Sequence, residues 1–298
     1  MITKTKFENT LINIIVYTTI SILTFLCLYP FYYVLIYSIS DPAQASVREV
    51  YLWPQGFTLK TYGTILSREG VYNAFGVSTA RTIIGMSLCV FLTSIFAYLV
   101  TKKEMIGRKF VYRFVIITMY MGAGLIPWYL TMKAYGLRNS FLVYILPSMV
   151  NAFFLILIKT NIESLPASLE ESAAIDGSGF FSTYFKIIFP LSKPILATVA
   201  VFSAVGHWNT WQDNFFLVTT SKLQTIQLIM LSYLRQAQSL ANSMKFGTTA
   251  QASGVFITMS PESIRMTIVV VSTLPILLVY PFFQRYFTKG IMMGAVKG

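Results

Sequence analysis

Charge is what this 298-residue sequence has least of. Only 11% of its residues are Asp, Glu, Lys or Arg, against about 25% in an ordinary soluble domain. With 55% apolar residues and a mean hydropathy of +0.64, the chain cannot cover itself with a solvated surface, which leaves an integral membrane protein. Cysteine is almost missing as well. Cys27 and Cys89 each sit inside an apolar run, so no disulfide framework or thiolate metal site follows, and both read as small packing or lipid-facing residues. His207 is the single histidine, which rules out a multi-histidine metal cluster and argues against a histidine-based triad. G-x-S-x-G, H-E-x-x-H and paired intramembrane aspartates are all missing from the sequence, so no membrane enzyme is indicated.

What charge there is has the pattern of a membrane protein. The net charge of +12 comes from basic residues gathered in loops and at the edges of apolar runs, which argues for lipid contact and against nucleic acid. Six stretches carry no charged residue: between Glu8 and Asp41, Arg81 and Lys102, Arg113 and Lys133, Arg138 and Lys159, Lys193 and Asp213, and Arg265 and Arg285. Each is long enough, at ~1.5 Å per residue, to cross a hydrocarbon core of roughly 30 Å. The expected architecture is therefore all-α, one membrane domain over residues 1–298. Its six transmembrane helices lie near 11–40, 76–101, 112–133, 139–160, 190–216 and 264–286. The first apolar run far exceeds a signal-peptide core of roughly 7–15 residues and shows no small-residue cleavage pattern, so a retained membrane helix is expected there.

Lys102, Lys103, Arg108, Lys109 and Arg113 crowd the short loop between the second and third runs. The positive-inside rule puts that loop in the cytoplasm, and with an even number of spans both termini and the loop after the fourth span follow it. Residues 41–80 and 218–264 then lie outside, where their Pro, Gly, aromatic and amide content suits short surface helices. Arg138, Lys222, Arg235, Lys245 and Arg265 outnumber the acids nearby. Membrane phosphates or a docked protein account for them more simply than an acidic substrate does. Prolines and glycines within the runs imply kinks and close helix approach. Residues 122–127 (GAGLIP) fit either ordinary packing or a bend lining a pathway.

The most informative stretch is 164–194, SLPASLEESAAIDGSGFFSTYFKIIFPLSKP. It places Glu170, Glu171 and Asp176, three of the eleven carboxylates, within seven positions between two membrane-length runs. Ser168 with Glu171 has capping-box spacing, predicting a helix through Ile175. Gly177 and Gly179 permit a sharp turn, and Ser178 can cap a second, amphipathic helix from about Phe180 to Phe189 that stops near Pro190. The product is a helix-turn-helix elbow presenting carboxylates to a soluble partner. Helix capping and loop solubility explain Glu171 by themselves, but not the whole acidic cluster beside a glycine joint.

Glu171-Ser172-Ala173, three residues, Gly177, nine residues, and then Ile187-Ile188-Phe189-Pro190 resembles the EAA loop of ABC-importer permeases, E-A-A-x3-G-x9-I-x-L-P. It departs at Ser172 and Phe189. The stretch 202–217 (FSAVGHWNTWQDNFFL) is similar to the W-N-aromatic segment of MalG-like sugar permeases, and the tail YPFFQRYFTKGIMMGAVKG to their carboxyl end, particularly in the LplC-like branch. The resemblance covers nearly the whole chain. It implies a permease subunit of a binding-protein-dependent carbohydrate importer in the bacterial cytoplasmic membrane, non-catalytic itself. Its implied partners are a second, homologous permease, an ATPase dimer that uses ATP and magnesium, and an extracytoplasmic substrate-binding protein. No cofactor is implied for this chain. The resemblance assigns the 164–190 elbow, with Glu170, Glu171, Ser172, Ala173, Asp176 and Gly177, to coupling with the ATPase. It assigns the tail 287–298, with Gly290, Met293, Gly294 and Lys297, to contact with the ATPase dimer.

For the pathway, His207, Trp208, Asn209, Trp211 and Asp213 lie about 17 to 23 residues beyond Pro190, in the far half of the fifth run by helical rise. Aromatic faces beside amides suit sugar rings and hydroxyls. For Trp208 and Trp211 an interfacial aromatic belt is an equal reading. His207 and Asn209 favour the pathway, because polar groups in a membrane need partners. The competing class is an ion-coupled secondary transporter. Such carriers place carboxylates within their spans, whereas here the charge-free runs hold none and Asp213 sits at an edge.

Overall fold

In lipid a backbone must satisfy its own hydrogen bonds, so long apolar runs of this composition become helices. The computed structural model describes residues 2–246 and 260–295, with side chains for 10–239, 241–243, 260–279 and 281. Among the described residues it is helical without a strand, apart from an isolated bridge between Ser40 and Phe57. The helices are α1 (Ile2–Ser38), α2 (Pro42–Ala45), α3 (Lys60–Leu66), α4 (Val71–Thr101), α5 (Arg108–Tyr120), α6 (Leu125–Ala134), α7 (Ala152–Glu163), α8 (Ser168–Ile175), α9 (Phe180–Thr183), α10 (Phe189–Leu191), α11 (Lys193–Asn209), α12 (Gln212–Leu217), α13 (Ile226–Phe246) and α14 (Pro261–Ala295).

Among the described residues three stretches are unbroken, long and apolar enough to cross a membrane: Thr10–Ser38, Val71–Thr101 and Pro261–Val279. Two more qualify as bent pairs. Phe141–Ser148 with Ala152–Glu163 turns by 45°, and Phe180–Leu191 with Lys193–Asn209 by 79°. The run expected to cross at 112–133 is divided instead into α5 and α6, with Met121–Gly124 non-helical between them. The sequence there is the reason. Gly122 and Gly124 are poor helix formers, and Pro127 at the start of α6 removes a backbone donor.

The chain forms two compact units. In the first, Met1–Arg68 with Met230–Leu274, the end of α1 packs Ile36 and Tyr37 against Ala45 and Val50. Asp41 caps α2 by accepting from Ala43 N at 2.8 Å. Ser38 Oγ meets the Tyr62 hydroxyl at 2.6 Å. Most of α1 before this end is apolar all round and exposed, as a lipid-facing helix is. Glu262 and Arg265, i and i+3 on α14, pair at 3.3 Å; Lys245, among the expected outer cations, lies outside the described side chains.

The second unit, Glu69–Ile229 with Pro275–Gly298, is built on α4 against α11 and α7. Lipid tails are as apolar as leucine, so close packing rather than hydrophobicity holds such helices together. Most of the residues α4 buries are accordingly small, among them Ala74, Ser78, Gly85, Cys89, Thr93, Ser94 and Ala97, with Arg81 and Tyr98 the large exceptions. One core joins Tyr98, Leu155, Ile158, Tyr184, Ile188 and Val199 at the elbow end of α4, and another joins Val143, Tyr144, Ile145 and Leu217 towards its opposite end. Both candidate sites belong to this unit.

Candidate functional site

The elbow forms, but with different caps from those the sequence suggests. Ala167 is already helical (φ −61°, ψ −28°), and no side chain caps α8. Leu169 N and Glu170 N donate to the carbonyls of Pro166 (3.2 Å) and Ala167 (3.0 Å). Helical turning thus starts near Pro166, whose fixed φ suits a first turn that needs no N–H. Ser168 is therefore inside the first turn and the capping box is not made. Glu170 and Glu171 still occupy that turn, where the helix dipole favours carboxylates.

At the other end of α8, Gly177 adopts φ +74°. Its N–H donates to Ala174 O (3.0 Å), and Ser178 N donates to Ala173 O (2.8 Å). This is the Schellman pattern, which demands a left-handed residue at that position. Gly177 alone supplies the joint, for Gly179 is extended at φ −73°. Ser178 does not cap α9; its hydroxyl accepts from Thr183 Oγ1 at 3.2 Å. The second arm runs past the expected end to Leu191, passing through a π turn at Tyr184–Ile188. There Phe189 N donates back to Tyr184 O. Pro190 has no N–H, so the helix adjusts its register just before it.

Glu171, Ser172, Asp176 and Gly177 are exposed, as is Ile175. Ala173 is buried and packs inward. Glu170 is half-buried and pairs with Lys102, whose ammonium lies 4.1 Å from the Tyr98 ring centre. Tyr98 packs on Phe180 (4.6 Å) and Tyr184 (5.4 Å), and the Tyr184 hydroxyl meets Ser94 Oγ at 2.6 Å.

The second site lies towards the other end of α4. Arg81, 2% exposed, forks onto Asp213: Nη1 donates to Oδ1 at 3.1 Å and Nη2 pairs with Oδ2. Nη1 also donates to Thr210 O (3.0 Å), and the guanidinium lies 4.6 Å from the Tyr144 ring centre. Asn214 extends the network, donating to the Tyr144 hydroxyl (2.7 Å) and accepting from Thr225 N (3.0 Å). A buried carboxylate and guanidinium are tolerable only when paired and hydrogen-bonded in this way. Beside the pair is a cavity of about 270 Å³ whose wall includes Tyr144, Ser148, Asn151, His207 and Asp213. His207 Nε2 lies 3.4 Å from Ser148 Oγ.

The five residues expected along the pathway are not all brought together. His207 and Asp213 face the polar cavity. Trp208, one residue on, turns into a separate apolar cavity of about 290 Å³ with Phe75, Ile83, Val205 and Ile276, its ring 6.1 Å from Phe75. Asn209 is exposed, and Trp211 is partly exposed against Phe215 (5.9 Å). Sequence reasoning missed Arg81, Tyr144 and Asn214. The signal was present, since Arg81 and Asp213 each bound a charge-free run and such charges need partners. Of the tail, Gly290, Met293 and Gly294 have only a helical backbone described, and Lys297 lies outside the described residues.

No protein-family model matches the chain. It is 36% identical over 294 residues to the polygalacturonan/rhamnogalacturonan transport system permease protein YtcP of Bacillus subtilis (strain 168), covering 98% of this chain and 100% of that protein. To protein LplC of the same organism it is 36% identical over 271 residues, 90% of this chain and 89% of the relative. Among solved structures, a bacterial ABC transporter involved in the import of the acidic polysaccharide alginate superposes with a TM-score of 0.78 at 26% identity. That match covers 94% of this chain and 98% of the other.

Proposed function

The chain belongs to the permease family of carbohydrate ABC transporters, and from that premise we propose that it is one of two membrane subunits importing oligosaccharides derived from acidic polysaccharides. The observation that carries this reading is likeness along the whole length, at 36% identity, to a permease named for polygalacturonan and rhamnogalacturonan. The alginate importer's similarity over 94% of the chain supports the same substrate class.

In this reading the protein is a multi-pass membrane subunit with six crossings, α5 and α6 making the third as a broken helix. The basic loop 102–113 and the elbow face the cytoplasm, as do both termini. ATP and magnesium belong to the ATPase dimer, and this chain supplies no catalytic group or cofactor site. The exposed Glu171, Ser172, Asp176 and Gly177 meet the ATPase, with Ala173 and Glu170 holding the elbow's shape from behind. The tail 287–298 contacts the ATPase dimer. An extracytoplasmic binding protein delivers the sugar at the opposite face. His207 and Asp213, with Asn209 and Trp211 nearer solvent, lie on the route it takes.

The test is reconstitution of the chain with its partner permease, ATPase and binding protein in proteoliposomes. ATP-driven uptake of trigalacturonate should exceed that of arabinotriose or maltotriose. Equal uptake of all three would refute the acidic specificity, and uptake driven by an ion gradient without ATP would refute the ABC mechanism. Changing Gly177 and Glu171 should lower uptake per ATP hydrolysed. If both variants transport unaltered, the elbow has no coupling role.

A further inference from the structure

One face of α4 carries Phe91, Ser94, Tyr98 and, at its end, Lys102, spaced i, i+3, i+7 and i+11, the spacing that aligns side chains along one helical stripe. Each engages the elbow. Phe91 stacks on Phe185 at 6.3 Å, Ser94 holds the Tyr184 hydroxyl, Tyr98 packs on Phe180 and Tyr184, and Lys102 pairs with Glu170. Lys102 thus takes the α8 arm, and the other three take the arm beyond Gly177. An isolated, partly exposed ion pair adds little stability, and a neutral hydroxyl pair only about 1 kcal/mol. What such directional contacts do is fix position. From Lys102 the same helix, which contains no proline, runs about 30 Å at helical rise to Gly85 and Arg81, where it touches His207 and Asp213.

We propose that Lys102, Tyr98 and Ser94 are positioning residues of the transport cycle, fastening both arms of the elbow to α4 so that a displacement of the elbow is delivered along that helix to Arg81 and Gly85 at the polar cavity. This rests on the reading of the elbow as the element that meets the ATPase.

The test uses the assembled transporter in nanodiscs and needs no substrate. A bimane fluorophore is attached through Tyr72→Cys, an exposed position in the first turn of α4, with Cys27→Ser to silence the exposed native thiol. Fluorescence is read without nucleotide and with ATP plus vanadate. The parent complex should show a nucleotide-dependent change. Lys102→Glu, Glu170→Lys and Tyr184→Phe should each abolish most of it. The charge-swapped double K102E/E170K should restore most of the signal, which a merely structural loss would not allow.

Glu171→Ala, on the exposed side of α8, separates the two readings. If it abolishes the change while Lys102→Glu does not, the elbow still couples to the ATPase and the positioning role is refuted. If neither variant alters the change, the coupling reading falls and takes the positioning role with it. A parent complex with no change at the Tyr72 position would mean that α4 carries no movement, which also overturns the proposal.

Discussion

The imidazole of His207 lies across the backbone of Gly85: a Cβ at Gly85 would stand 2.5 Å from ring atoms Cε1 and Nε2 and 2.8 Å from Nδ1. No real carbon approaches a ring so closely, so α4 and α11 meet here only because residue 85 has no side chain.

Gly85→Ala should therefore force the two helices or the ring apart. Overpacking of this kind costs about 1–3 kcal/mol, seen as a lower unfolding temperature of the detergent-solubilised protein. Adding His207→Ala to the same variant should recover most of the loss, because it removes the ring that the new methyl strikes. An unchanged transition in Gly85→Ala, or no recovery in the double variant, would show that the helices do not depend on this contact.

The Arg81–Asp213 pair predicts a different pattern. Losing one partner strands the other charge away from water, at a cost of about 3–5 kcal/mol. Arg81→Met and Asp213→Leu alone should each sharply reduce the yield of monodisperse protein in fluorescence-detected size-exclusion chromatography. The double variant, with an apolar pair of similar volume, should be recovered in better yield than either. If the double is no better than the worse single, the remaining contacts to Thr210 and Asn214, and not the pairing, would be what the fold requires.

Trp208 and Asn209 are neighbours with opposite expected outcomes. Trp208 is buried in the apolar cavity, and truncating such a ring costs about 3–5 kcal/mol. Trp208→Ala should lower thermal stability and co-purification with the partner subunits, and Trp208→Phe should recover part of both. Asn209 is exposed, so Asn209→Ala should stay within about 0.5 kcal/mol of the parent, and any loss of uptake would then report contact with sugar. A stable, fully assembled Trp208→Ala transporter with impaired uptake would place Trp208 on the pathway.

The elbow shows how far local sequence reaches. Its turn was legible because Gly177 answers a local demand, a left-handed residue after a helix end. Its start was misjudged because two local signals competed, and Pro166 initiated the helix before Ser168 could cap it. The division of the 112–133 run into α5 and α6 had a visible cause in Gly122, Gly124 and Pro127, but a gap free of charge does not register a break of four residues within it.

By itself the sequence determined that this chain is a helical membrane protein, because a scarcity of charge arranged in long gaps has no other stable outcome in lipid. It also located the elbow, whose motif is contiguous. What only the tertiary structure decided is who faces whom. Arg81 and Asp213 are 132 positions apart, and Lys102 and Glu170 are 68 apart. Whether such charges pair depends on how α4 lies against its neighbours, and that in turn depends on an approach as close as the one between Gly85 and His207. Periodicity along one helix carries no record of the rotation of another, so the missing side chain at residue 85 acquires its meaning only where the two helices touch.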